Sequence, residues 1–199
     1  VGPLFHGVKV KIAEDGEILV SGENVMNGYW NDPDATSKTL INGWVHTGDI
    51  GEFDDEDYLK ITDRKKDILV NAGGDNISPT RVEAKLDIEP EIAQSMLYGD
   101  YKNYLVAVIV PNKDFAINWA KENSKDPVFE SIVKNEDFIK TMKEIVNKVN
   151  KNLSVIEQVR KFILIDHEFT IENSMMTVSM KVRRFAVKDK YGDQLEKLY

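Results

Sequence analysis

The chain has 199 residues, of which 42% are hydrophobic and 30% charged, the balance of a soluble globular protein with material for a real core. A formal net charge of -8 lacks the basic surface that a nucleic-acid or anionic-membrane binder needs, and the absence of cysteine excludes disulfides, thiolate catalysis and thiolate metal sites. No apolar run reaches transmembrane length and no signal-peptide pattern is present, which together with the missing cysteines fits a reducing cytoplasm.

The chain opens at Val1-Gly2-Pro3, without an initiator Met and already in strand-like sequence, so a piece of something longer is expected. Val8, Val10 and Ile12 alternate with Lys9 and Lys11, the period of a half-buried strand. Asp15-Gly16 turns this strand into Glu17–Val20, predicting a hairpin. Asn31–Lys38 suits a short helix or turn, and short strands are expected at Trp44–His46 and Tyr58–Thr62. Residues 1–62 therefore read as a small antiparallel sheet or partial barrel.

The run from Thr62 to Pro79 changes the character of the chain. Charged residues Arg64 to Asp67 precede a short apolar strand, Ile68 to Val70. The pair Gly73-Gly74 follows, and Ser78-Pro79 reads as a helix N-cap with proline at the first helical position. A helix is expected from Pro79 to about Leu86, then strands at Gln94–Tyr98 and Leu105–Val110. The second of these is continuous and β-branched, as in a strand covered on both faces. A short helix follows at Phe115–Glu122. Asp126-Pro127 repeats the cap-plus-proline signal ahead of a long helix bearing Phe138, Met142, Ile145, Val149 and Leu153 on one face. A strand at Phe162–Ile165, an irregular loop at Asp166–Thr177 and an amphipathic C-terminal segment complete the chain. The fold class is α+β, with the antiparallel subdomain followed by a mixed α/β domain whose short sheet is flanked by helices. The boundary falls at residues 63–67.

Three constellations could carry chemistry. In Gly43-Trp44-Val45-His46-Thr47-Gly48-Asp49-Ile50-Gly51, three glycines predict tight turns, and Asp49 sits where a backbone reversal would present its carboxylate to a vicinal diol. A glycine-rich turn in which Asp49 bonds its own backbone is the commoner outcome of such spacing. Arg64 and Lys66 lie at the domain boundary, where an arginine can meet phosphate or ribose oxygens and a hinge can absorb backbone rotation. A solvated basic run balancing Asp63 and Asp67 is the plainer alternative. Lys181, in Met176–Arg184, could set an ammonium against a polyphosphate, or be one more lysine of a basic tail. The three histidines have no metal-ligand spacing, and no metal site is expected in this chain.

Taken together and in order, these segments resemble the C-terminal part of the AMP-forming acyl-CoA synthetases of the adenylate-forming superfamily. The resemblance rests on Gly16–Gly22 through Gly28-Tyr29-Trp30, on residues 43–51 and on Asp63–Pro79, and it covers essentially the whole chain. The form of Asp63-Arg64-Lys65-Lys66-Asp67-Ile68, with Tyr98–Pro111, Trp119–Asn123 and Glu168–Asn173, resembles the long-chain fatty acyl-CoA ligases. The resemblance implies residues 1–65 as the last β-subdomain of an adenylation domain and 66–199 as a mobile C-terminal lid. It implies Asp49 on the ribose hydroxyls of ATP, Arg64 on ribose or phosphate oxygens, and Asn76 near the adenylate. Lys66 becomes the hinge, Gly73 and Gly74 a loop on the CoA side, and Lys181 the catalytic cation at the α-phosphate.

Fatty acid, ATP and CoA are the implied substrates, with Mg²⁺ held by residues preceding this chain. Peripheral membrane contact and homo-oligomerisation stay open, and the fragment alone is expected to be inactive. A different acid or a carrier-protein acceptor, or a stand-alone binding module, are the alternatives. Where the family has proline and glycine before the lysine, this chain has Val178-Ser179-Met180.

Overall fold

The computed structural model describes residues 2–199. The chain divides into two compact units, Val1–Ile68 and Leu69–Tyr199.

In the first unit, β1 (Lys9–Ile12) and β2 (Glu17–Ser21) form the expected antiparallel hairpin, with Val10 opposite Val20. Its turn closes on Gly16 at φ +83°, a left-handed conformation suited to glycine. The helix α1 (Pro33–Thr39) begins on Asp32, whose carboxylate accepts the Ala35 N–H at 2.9 Å. There follow β3 (Leu40–Ile41), β4 (Trp44–Phe53) and β5 (Leu59–Arg64).

The spine is β4. It pairs with β2 along one edge, and with β3 near its start and β5 near its end along the other. All these pairings are antiparallel, and the sheet does not close into a barrel among the described residues. The strand expected at Trp44–His46 thus runs seven residues further, through the glycines read as turns. Gly48 sits in a bulge, at φ +70°, where β4 takes more residues than β2 between the Leu19–His46 and Glu17–Ile50 pairs. At Gly51 a Cβ would come within 2.4 Å of the Lys60 carbonyl oxygen, so the close approach of β5 requires glycine there.

The second unit starts with a small hairpin, β6 (Leu69–Val70) and β7 (Asn76–Ile77), leading into α2 (Pro79–Asp87). Ser78 caps α2 and Pro79 opens it, as the sequence indicates. The main sheet has β9 (Leu105–Pro111) between antiparallel β8 (Ile92–Tyr98) and parallel β10 (Val159–Leu164).

Alternation along β9 explains its unbroken apolar run. Leu105, Ala107 and Ile109 join one core with α2, α3 (Lys113–Glu122) and α5 (Glu136–Asn150). Val106, Val108 and Val110 join another with α6 (Arg184–Glu196), which contributes Val187, Tyr191 and Leu195. Asp126-Pro127 does not start the long helix. A single turn, α4 (Phe129–Ile132), intervenes, and Asn135 caps α5 by accepting from the Asp137 and Phe138 N–H groups. The α5 stripe is Phe138, Met142, Val146 and Val149, one position off the expected face at Ile145, while Leu153 packs from beyond the helix end.

Candidate functional site

In the first unit the sheet register puts Asp49 directly opposite Arg64, and Arg64 Nε donates to Asp49 Oδ1 at 2.9 Å. Asp49 is therefore presented by a cross-strand pair next to a bulge, and not by the backbone reversal its glycines suggested. The bond through Nε engages one edge of the guanidinium, and a carboxylate has a second oxygen with which to accept. Arg64 is more than half exposed and Asp49 less than a quarter, so the pair stands at the unit's surface with its carboxylate partly shielded.

Beside the pair, with Glu17 opposite Ile50 in register, lies a carboxylate to which the sequence assigned no role. Glu17, 4% exposed, accepts the Gly48 N–H at 2.9 Å through Oε1 and Lys65 Nζ at 3.0 Å through Oε2. His46 Nδ1 lies 3.1 Å from the same Oε2. Burial works to raise the Glu17 carboxyl, yet the bonds from Lys65, His46 and Gly48 outweigh it and hold the group below the usual carboxylate range. Lys65 Nζ also meets Asp15 Oδ2 at 2.6 Å, and the bonds to Asp15 and Glu17 raise its pKa. Lys66, in the single 3₁₀ turn Lys65–Asp67, is exposed.

In the second unit Gly73 and Gly74 form the tip of the β6–β7 hairpin, and Asn76 is exposed on β7. Asn71 organises the tip. Its Oδ1 accepts the N–H groups of Gly73 and Asp75, both at 2.9 Å, and its Nδ2 donates to Asp75 Oδ2. Gly74 takes φ +87°.

Lys181 is on a different loop of the same unit, and its side chain is exposed. The Met176–Val182 bridge closes that loop, and Thr177 holds its interior. The Thr177 N–H donates to the Lys181 carbonyl at 2.8 Å, and Thr177 Oγ1 accepts the Lys181 N–H at 3.0 Å. Met180 takes φ +59°, a left-handed conformation that costs a residue with a Cβ.

Three residues on, Arg184 opens α6 and pairs through both terminal nitrogens with Glu83 of α2. Glu83 is buried and also accepts the Leu97 N–H. A buried acid at the fifth position of a helix was the available signal for this pair, and it does not name its partner.

A cleft of about 520 Å³ at the C-terminal ends of β9 and β10 is lined by Pro111, Ile117, Phe129 and His167 among others, and by none of the expected site residues. Among the described residues no group of three or more His, Cys, Asp or Glu could hold a metal ion. No described helix is long and apolar enough to cross a membrane.

This fold is shared with adenylation domains. The adenylation domain of a carboxylate reductase from Mycobacterium chelonae superposes with a TM-score of 0.79 at 25% identity, covering 96% of this chain and 30% of that one. O-succinylbenzoate coenzyme A synthetase from Bacillus subtilis, solved with AMP, gives 0.66 at 28% identity, covering 94% and 34%. The model of the AMP-binding enzyme C-terminal domain matches residues 66–199, and the chain belongs to that family. Among curated relatives, long-chain-fatty-acid–CoA ligase FadD15 of Mycobacterium tuberculosis is 35% identical across 100% of this chain. Human long-chain-fatty-acid–CoA ligase 1 is 34% identical across 93%. The chain spans 34% and 27% of their lengths, about a third or less.

Proposed function

We propose that this chain is part of an AMP-forming long-chain fatty acid–CoA ligase, contributing the last β-subdomain of the adenylation domain (1–65) and its mobile lid (66–199). The observation that carries the reading is the likeness to long-chain fatty-acid–CoA ligases along the entire chain, through both units and not the C-terminal domain alone. The carboxylate reductase neighbours keep a different acceptor as the alternative, at identities of 25–28%.

The chemistry follows from charge. A fatty carboxylate attacking the α-phosphorus of ATP builds negative charge on the non-bridging oxygens and on departing pyrophosphate. Asp49 accepts from the ribose hydroxyls, and Arg64, held against it, offers its remaining N–H groups to ribose or phosphate oxygens. Lys181, on its exposed loop, supplies a cation to the α-phosphate in the first half-reaction. Rotation at Lys66 then withdraws it and brings the Gly73-Gly74 tip to the CoA thiol's approach, with Asn76 beside the adenylate. Mg²⁺ would neutralise the ATP phosphates, with ligands supplied outside this chain. A cytoplasmic location belongs to the same proposal.

The test is Lys181→Ala in the full-length protein, with each half-reaction measured alone. ATP–pyrophosphate exchange driven by fatty acid falls about 100-fold or more, the scale of losing one charge-stabilising group. Thioester formation from preformed acyl-adenylate is retained. Equal loss in both half-reactions refutes the role of Lys181, and exchange above background by residues 1–199 alone refutes their being an inactive part.

A further inference from the structure

Around the Asp49–Arg64 pair one carboxylate grips both neighbours. Glu17 Oε1 takes the N–H of Gly48, the residue before Asp49, and Oε2 takes Nζ of Lys65, the residue after Arg64. The grip is doubled at Lys65 by Asp15 at 2.6 Å, and Asp15 is itself fixed because its Oδ1 accepts the Glu17 N–H at 3.1 Å. All of these groups belong to the first unit, and Glu17 is among its most buried residues.

We propose that Glu17 and Lys65 form a latch that ties the last residue before the pivot to the nucleotide-side sheet, making both positioning residues. The inference rests on the ligase reading for its catalytic consequence, though the latch itself is a property of the fold. An exposed lysine in a linker would ordinarily wander, and an exposed ion pair would restrain it weakly. Here the acceptor is a buried carboxylate already fixed by a backbone N–H and an imidazole, so the ammonium finds a preformed seat.

The lowered carboxyl pKa values of Asp15 and Glu17 and the raised pKa of Lys65 agree with charged partners that stabilise one another. With Lys65 seated, backbone rotation is confined to Lys66–Ile68. With Lys65 released, the pivot starts earlier, while the Gly48 N–H bond to Glu17 still holds the backbone beside Asp49. Glu17 thereby couples the geometry of the ribose-binding carboxylate to the place where the lid begins to move.

Two measurements on the full-length protein test this. Arg64, Lys65 and Lys66 are adjacent trypsin sites, so limited proteolysis reads the latch without reference to activity. Glu17→Gln speeds tryptic cleavage at Arg64–Lys66 about five-fold or more, because cleavage there follows local opening. Lys65→Met, a substitution at a half-exposed position that keeps the flanking sites, speeds cleavage after Arg64 and Lys66 and serves if Glu17→Gln fails to fold.

In kinetics, Lys65→Met lowers kcat for thioester formation about five-fold with KM for ATP unchanged, and Lys65→Arg restores it. Glu17→Gln lowers kcat and also raises KM for ATP, because the Gly48 bond beside Asp49 weakens. Unchanged proteolysis and kinetics in folded variants overturn the latch. Faster proteolysis in a wild-type background that shows no fatty-acid-dependent exchange leaves the latch standing and refutes the ligase reading instead.

Discussion

The two places where this chain is proposed to offer charge to a nucleotide are built in opposite ways. Asp49 and Arg64 face each other by strand register, and their neighbours are gripped by the buried Glu17. The left-handed backbone needed beside them falls on Gly48, which adopts it without strain. Lys181 sits on a loop closed by bonds within residues 176–182, and its left-handed position is Met180. Its tip is apolar and open, with Val178 at 85% and Met180 at 70% exposure. In the proposed cycle a ribose contact is needed throughout and gains from a rigid sheet. A cation that must come and go can hang from a closed turn, provided the turn's base is anchored. That anchor is the ion pair between Arg184 and Glu83, together with the Arg183 N–H donated to the Met175 carbonyl at 2.7 Å.

The most damaging way to test the contrast is to remove the anchor. Glu83→Ala leaves the Arg184 guanidinium largely buried without its acid and frees the Leu97 N–H, a loss of about 3 kcal/mol for a broken buried pair. Hydrogen exchange followed peptide by peptide reads it. Protection falls across α2, the start of α6 and the Lys181 loop, while β2, β4 and β5 keep theirs. A uniform loss in both units would show that the Lys181 loop has no separate anchor.

A milder substitution acts on the loop itself. Met180→Gly removes the steric cost of φ +59° and adds chain entropy to the unfolded state, so the net gain is about 0.5–1 kcal/mol. Met180→Ala, which keeps a Cβ, brings no such gain. Thermal unfolding monitored in the second unit distinguishes the two. If glycine destabilises, Met180 is contributing contacts that its exposure does not suggest.

Much of this was legible in the sequence, and what was not has physical causes. The Lys9–Ile12 alternation, the Ser78-Pro79 cap and the continuous Val106–Val110 run each encode structure within a few residues, and each reads correctly. Gly48 and Gly51 misled because glycine serves turns, bulges and close strand approaches alike, and only β5 shows which. Asp126-Pro127 misled because the same dipeptide can precede a single turn or four, and Asn135 is an equally good cap nine residues on. Glu17–Lys65 and Glu83–Arg184 span 48 and 101 residues, beyond any local pattern. The resemblance named Asp49, Arg64 and Lys181; it included Glu17 and Lys65 within its blocks but gave them no role.

The gentlest test uses pH, because the Asp87 carboxyl of the second unit shifts upward where Glu17 of the first shifts downward. The Asp87 carboxyl is pushed up to about 6 from its ordinary 3.8, chiefly by burial and further by the Glu83 charge, against a bond from Ser95 Oγ at 2.7 Å. Such a group carries no penalty below pH 4. As pH rises towards 6 the unfolded chain gives up its proton while the folded one holds it, so stability falls and the penalty is full above 6. Asp87 as a residue is exposed at the end of α2, and solvent screening limits the effect to less than about 1 kcal/mol. Glu17 runs the other way. Its lowered carboxyl contributes stability above its ordinary 4.5, and this is lost as pH falls through the folded value. Between pH 6 and 4 the Asp87 contribution to the second unit therefore rises slightly, and below 4.5 the Glu17 contribution to the first is lost. Asp87→Asn should flatten the profile of the second unit alone, measured as exchange protection of α2 and β8 across that range. A change of equal size in β2 and β4 would mean that the two units share their stability, contrary to the contrast between a sheet-held Asp49–Arg64 pair and a tethered lysine loop.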